Sequence, residues 1–346
     1  MPNHKKFNQS VHFSSARILF KSGEDTPRAL FERTLQRIEE NEPNVHAFVH
    51  LNIERARVEA DASTRRYAAG KPLSAIDGMP FGVKDIIDTC DMPTQMGNSF
   101  FKNHQPKIDA ACVRALKLGG AVILGKTVTT EFAIGRSGPT KNPWNIDHTP
   151  GGSSSGSAAG VGAGFVSAAF GTQTQGSIIR PSSFCGVVGF KPSKGALPIE
   201  GIHPLSATHD HLGVLAEGVK EAWAVARWVS EAHASQDHRG LDGEMEIDEQ
   251  PLPLRRVAFL KTKGFDELDQ ACQKAFEQSL DRLRQAGVKI VTPEESVVLK
   301  ELCALLDQVP EYSLDLVSVD MRWPYLGYVD IAQEHMGPRF NDLMTR

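Results

Sequence analysis

Apolar positions along this chain alternate between a helical period and short buried runs. From Thr26-Pro27, a strong start signal, Phe31, Leu35 and Ile38 share one helical face, and Asn41 to Pro43 predicts its end. A second helix, rich in alanine and arginine, is expected from Ile53 to Ala69. GMPFGV (78–83) then reads as a buried strand that delivers Lys84 and Asp85 from its end. Asp109 is placed to cap a helix carrying Val113 and Leu116 and closed by Gly119 and Gly120, after which AVILGK (121–126) forms a strand. Two clusters of small residues, Gly151 to Ser157 and Thr172 to Ser177, bracket the next apolar run. The first opens a helix continued by Ala158, Val161 and Phe165, and FVSAAFGT (165–172) reads as a strand with the second cluster at its end. Small residues let backbone amides approach a ligand, so the pair of clusters marks one site.

The rhythm continues with a strand at Gly186 to Phe190 and a helix from Val219 to Ser230 that carries Trp223 and Trp228. Residues 235–251 are acidic and turn-rich and predict an exposed connection. Beyond it come the strand RVAFL, a helix lined by Phe276, Leu280 and Leu283 and closed by Gly287, and the strand VKIV. Helix alternating with strand implies an α/β fold. With no repeat and no Gly/Ser- or Pro-rich linker, residues 25–346 read as one large domain behind a polar surface segment, 1–24.

Composition narrows the function. The 346 residues are 40% hydrophobic with a net charge of -4, and no basic run interleaves with aromatics, so nucleic acid is not expected as a partner. The apolar stretch 158–170 is too short and glycine-broken for a membrane span, and MPNHKKFNQS lacks the apolar region of a secretory signal. The expected location is cytoplasmic. Cys90, Cys112, Cys185, Cys272 and Cys303 are odd in number, widely spaced and free of CxxC, arguing against a disulfide frame and a zinc site.

Several motifs invite chemistry. Gly152 to Gly156 fits GxSxG with Ser154 as nucleophile, but no strand precedes it. Asp210 and His211, being adjacent, point to opposite faces of an extended chain and make poor triad partners. His209 and His211 resemble a metal pair without a recognisable third ligand, so no metal is expected. Gly160, Gly162 and Gly164 do not complete GxGxxG, and no P-loop occurs. A serine served by a lysine remains: Lys84, beside two Ser/Gly clusters, is a candidate general base for acyl transfer without histidine.

At GMPFGVKD (78–85), NPWNIDHTPGGSSSGSAAG (142–160) and GTQTQGSIIRPSSFCGVVGFKPS (171–193), within a core of motifs spanning 78–215, the chain resembles the amidase signature family of serine hydrolases. The resemblance implies a single α/β/α domain around a large mixed sheet and hydrolysis of a small-molecule carboxylic amide through an acyl-enzyme, with no cofactor. It implies a triad of Ser177 as nucleophile, Ser153 as bridging serine after a cis peptide, and Lys84 as base. Thr174, Gln175, Gly176 and Ser177 would supply the oxyanion-hole amides, and Glu131 falls where the family lines the acyl pocket. A lysine of ordinary pKa costs about 4 to 5 kcal/mol to hold neutral at pH 7, so burial is needed.

Three departures accompany the resemblance. Gln173 and Gln175 replace an aspartate and a glycine that usually lead into the nucleophile, and Arg180 lies one residue later than usual. Gln175 is expected to narrow the pocket or restrict the backbone beside the oxyanion hole, whereas an amide at 173 can replace the carboxylate as an acceptor. Family members usually continue beyond the point where this sequence stops, in the helical pattern GPRFNDLMTR. An uncovered sheet edge there would favour a homodimer, or a catalytically impaired member acting in binding or assembly. An amidotransferase-type subunit that requires a partner is the remaining alternative.

Overall fold

The computed structural model describes residues 12–233, 240–247 and 252–345. Two compact units emerge where the sequence gives no boundary: Met1–Ile247 with Asp320–Arg346, and Asp248–Val319. Within the first, the order is α1 (Phe13–Ser22), α2 (Pro27–Val45), β1 (Phe48–Leu51), α3 (Ile53–Ala68), β2 (Pro80–Lys84), α4 (Ala111–Gly119), β3 (Val122–Thr127), α5 (Ser155–Gly162), β4 (Ala168–Gln173), α6 (Ile179–Cys185), β5 (Val188–Phe190), β6 (His211–Ala216) and α7 (Val219–Ala232). The smaller unit holds β7 (Arg256–Ala258), α8 (Lys263–Asp266), α9 (Gln270–Gln285), β8 (Lys289–Val291), α10 (Val297–Leu306) and most of α11 (Val309–Asp320). The chain then returns to the first unit with α12 (Arg322–Ala332) and α13 (Pro338–Met344).

A six-stranded mixed sheet organises the large unit in the order β1-β3-β2-β4-β6-β5. The central trio β3, β2 and β4 is parallel, and β1, β6 and β5 add antiparallel to the outside. All residues of β2, β3 and β4 are buried, which explains why they read as unbroken apolar or small runs. Phe31, Leu35 and Ile38 of α2, Ala56 and Ala60 of α3, and Ala158, Ala159 and Val161 of α5 join strand residues in one core cluster. In the small unit β7 and β8 pair in parallel, and Phe259, Phe265 and Phe276 pack together.

Local chemistry accounts for the main boundaries and for the misreadings. Thr26 Oγ1 accepts from Ala29 N, and Pro27 opens α2 as predicted. The helix runs through Pro43 to Val45 instead of stopping. It closes on Glu42, whose carboxylate accepts from Ala47 N and Phe48 N. Asp109 does not cap α4; Ala110 stands at the N-cap, while the Asp109 carboxylate accepts from Cys90 N at 2.8 Å and pairs with Lys117 at 2.8 Å. Within the presumed surface segment, α1 buries Phe13, Ala16 and Phe20, and carboxylates of Glu217 and Glu221 receive its leading amides. Of the acidic connection, 240–247 lies along α7 through Trp223 Nε1 to Glu244 O and Arg227 Nε to Gly243 O, and the rest of 235–251 lies outside the described residues. Among the described residues no helix is long and apolar enough to cross a membrane.

Candidate active site

The carboxyl ends of β2 and β4 and the amino end of α5 meet at one point. Backbone contact requires glycine there: a Cβ on Gly156 would lie 2.2 Å from Ala47 O and 2.3 Å from Val128 N. Gly156 N donates to Val128 O at 2.9 Å, so the helix start is laced to the chain leaving β3.

Each serine of the run SSSGS has a separate partner. Ser153, after a cis Gly152-Ser153 peptide, accepts from Lys84 Nζ at 2.8 Å. Ser154 Oγ accepts from Thr172 N and donates to Thr172 O, both at 3.3 Å, which latches the helix start to β4 and leaves no role as an exposed nucleophile. Ser155 donates to Val128 O at 3.2 Å, and Ser157 to Phe170 O at 2.8 Å. Three of these four hydroxyls therefore fasten the helix, and one faces the lysine.

Lys84 is the last residue of β2 and has no solvent exposure. Its Nζ also donates to Thr172 Oγ1 at 2.7 Å, a neighbour that sequence reasoning left without a role. A polar residue ending a buried strand beside the lysine strand was the available signal. Burial brings the Lys84 ammonium from its ordinary 10.5 down to about 7, with the Asp210 charge acting in the opposite direction. A neutral amine contacting a hydroxyl is able to take its proton.

Ser177 and Ser153 line one cavity of about 270 Å³. Thr174, Gln175, Arg180 and Arg339 also face it. The loop bearing Ser177 is fixed at both sides. Gln173 Oε1 accepts from Ile178 N at 2.9 Å and Ile179 N at 3.1 Å, so the amide does fill the acceptor role of a carboxylate. Arg180 donates through Nε and an Nη to Gly152 O at 3.0 and 2.8 Å, joining the nucleophile loop to the residue before Ser153. Ser154 N donates to Ser177 O at 3.4 Å. Gly176, one residue before Ser177, accepts from Arg180 N through its carbonyl.

Glu131 requires a correction, because it does not line this cavity. Its fully buried carboxylate accepts from Asn98 Nδ2 at 2.9 Å, Arg136 at 3.1 Å and Gly337 N at 3.1 Å, tying the turn after β3 to the start of α13. Adjacent Thr130 and Ala133 face the cavity instead. His211 Nδ1 bonds the backbone carbonyl of His209, whose own ring bonds the hydroxyls of Ser206 and Thr208.

The glutamyl-tRNA(Gln) amidotransferase A subunit of Anaeromyxobacter sp. (strain K) is 38% identical over 275 residues, 76% of this chain and 55% of its own length. The chain thus spans about half the length of the curated relatives it matches. A solved structure described as an amidase superposes with a TM-score of 0.81 at 29% identity, covering 97% of this chain and 73% of the other. Native peptide amidase from Stenotrophomonas maltophilia gives a TM-score of 0.75 at 28% identity, with 98% and 71% covered. The amidase family profile matches residues 29–314, and together with the mixed α/β fold this places the chain in the amidase signature family.

Proposed function

We propose that this chain hydrolyses a carboxylic amide through an acyl-enzyme on Ser177. The observation that carries the reading is the 2.8 Å contact between fully buried Lys84 and Ser153 at the wall of the cavity that also holds Ser177. Ser153 passes the Ser177 proton to neutral Lys84 as Ser177 Oγ attacks the amide carbonyl. Amides of the loop from Thr174 to Ser177 receive the developing oxyanion, an effect worth about 3 to 4 kcal/mol per donor. The proton returns by the same route to the departing nitrogen, releasing ammonia or an amine, and water then cleaves the ester by the reverse relay.

The test is intact-mass analysis after fluorophosphonate treatment. One adduct on Ser177, absent in Ser177→Ala and slowed in Lys84→Ala, is the expected result. A folded chain that acquires no adduct refutes the reading and favours the impaired, binding role.

Similarity to the A subunit of an amidotransferase supports a second reading, in which the same centre releases ammonia from an amide donor for a partner protein. Hydrolysis of glutamine that appears only when a partner is added would select it.

A further inference from the structure

Asp210 belongs to a motif that neither the triad nor a metal site accounts for. It stands one residue before β6, where the register pairs His211 with Gln173 and Leu212 with Thr172, so it falls opposite the start of the nucleophile loop. Its two carboxylate oxygens divide their work. Oδ1 accepts from Thr174 Oγ1 at 2.6 Å, and Oδ2 accepts from Leu205 N at 2.7 Å and Ser206 N at 2.9 Å. Thr174 and Leu205 both line the cavity with Ser153 and Ser177, and Asp210 lines a second cavity of about 160 Å³ that shares Thr174 and Leu205 with it. The carboxylate thus spans two of the segments that shape the site.

We infer that Asp210 is a positioning residue of the amide-hydrolysing centre, with one oxygen holding Thr174 at the nucleophile loop, the other closing the 205–206 turn, and its negative charge balancing Lys84. The inference rests on the reading of Lys84 as base. Ionisable groups on the surrounding elements include Asp85 next along the chain, Asp88, Lys126 on β3, Tyr325 on α12, whose hydroxyl bonds His203, and His203 and His211 near the second cavity. Asp85 and Lys126 are paired with each other at 3.3 Å, burial takes His203 down to about 4, and burial lowers His211 as well. Among the described residues, Asp210 is the charge that acts on Lys84, in the direction that favours the ammonium.

Two variants separate charge from geometry. Asp210→Asn keeps an acceptor for the 205–206 amides and a donor for Thr174 but removes the charge, and Thr174→Val removes the hydroxyl and keeps the charge. The measurement is the pH dependence of fluorophosphonate adduct formation at Ser177, with near-ultraviolet circular dichroism to establish folding. In Asp210→Asn the acidic limb should move to lower pH by on the order of 1 unit, because the ammonium loses a stabilising anion, and the plateau rate should fall because the base is weaker. Thr174→Val should leave the limb in place and lower the plateau about tenfold, as expected for a disturbed oxyanion loop. A folded Asp210→Asn protein whose limb coincides with that of the wild type overturns the inference and leaves the amidase reading intact. A wild-type chain that forms no Ser177 adduct overturns both.

Discussion

Replacing Lys84 by methionine tests the ionisation of the buried lysine without reference to any reaction. Methionine is an unbranched side chain that fills similar space but carries no proton. In the folded protein burial lowers Lys84 from 10.5 to about 7, whereas the unfolded chain regains the ordinary value. Between those values the unfolded state binds more protons than the folded one, so stability rises with pH across the window from about 7 to 10.5 and loses that contribution as pH falls. One linked proton gives a slope approaching about 1.4 kcal/mol per pH unit. Relative to high pH, holding the group in the fold costs about 4 kcal/mol at pH 7 and about 1.4 kcal/mol at pH 9.5. Wild type should therefore gain about 3 kcal/mol over Lys84→Met between those two conditions. Loss of the bonds to Ser153 and Thr172 costs the variant about 1 kcal/mol each, but that offset does not depend on pH. Urea unfolding followed by tryptophan fluorescence suits the measurement, since Trp144, Trp223, Trp228 and Trp323 all belong to the unit that contains Lys84. Other titrating groups cancel in the difference between the two proteins. Parallel stability curves from pH 7 to about 9.5 would refute the claim of a lowered lysine, and with it the neutral base.

Two further substitutions probe the scaffold of the site. Gly156→Ala pushes a Cβ into backbone atoms of residues 47 and 128 and should destabilise by more than ~4 kcal/mol, read as loss of the folded fraction at 25 °C or a collapsed urea midpoint. Gln173→Ala leaves Ile178 N and Ile179 N without their acceptor and should cost about 1 to 3 kcal/mol with slower adduct formation at Ser177, whereas Gln173→Glu keeps both bonds and should stay near wild type by both measures.

Much of this fold was legible because its elements obey short-range rules. The Thr26-Pro27 start, the buried strands at 80–84 and 122–127, and the helix from Ser155 follow from capping chemistry and hydrophobic period. The misreadings have long-range causes. Pro43 is tolerated within the last turn of α2, and Glu42 reaches forward to hold the chain that enters β1. α1 is a helix whose first amides are received by glutamates about 200 residues away, which no local pattern announces. β1 went unread because FVHL is four residues long and partly exposed, and β6 because HLGVLA follows a polar motif that drew attention to its histidines. The catalytic proposal stands differently: GSSSGS offers several hydroxyls of equal local character, and the family resemblance rather than local pattern singles out Ser153 beside Lys84, while the three-dimensional arrangement assigns Ser154, Ser155 and Ser157 to helix anchoring. Glu131 shows the converse, since a residue next to the cavity wall turns its carboxylate away to bonds made by residues distant in sequence.

Lys126 supplies the control for Lys84. Both lysines close an apolar run, GMPFGVK and AVILGK, and both are fully buried on adjacent strands, so hydrophobic pattern and burial do not distinguish them. Their neighbours differ. Burial lowers the Lys126 ammonium as well, but Lys126 lies 3.3 Å from the Asp85 carboxylate and donates to Thr94 Oγ1 at 2.7 Å and Pro93 O at 3.1 Å, so a directly paired negative charge opposes that lowering. Lys84 meets two hydroxyls and, among the described residues, no directly bonded carboxylate. A lysine held by a carboxylate is a structural cation, and one held by hydroxyls is free to lose its proton. Lys126→Met should accordingly strand the buried Asp85 charge, which already has its carboxyl pushed up to about 6 by burial, and cost about 3 to 5 kcal/mol at pH 7. Without the Lys126 charge that holds it down, Asp85 takes up its proton above the wild-type value of about 6, so the penalty should shrink as the pH falls toward 6, while the Lys84→Met difference depends on the alkaline window. Urea midpoints of both variants from pH 5 to 9.5 give the comparison. Two curves of the same pH dependence would show that the carboxylate does not set the character of the buried lysine, and the distinction between structural and proton-accepting lysine would fall.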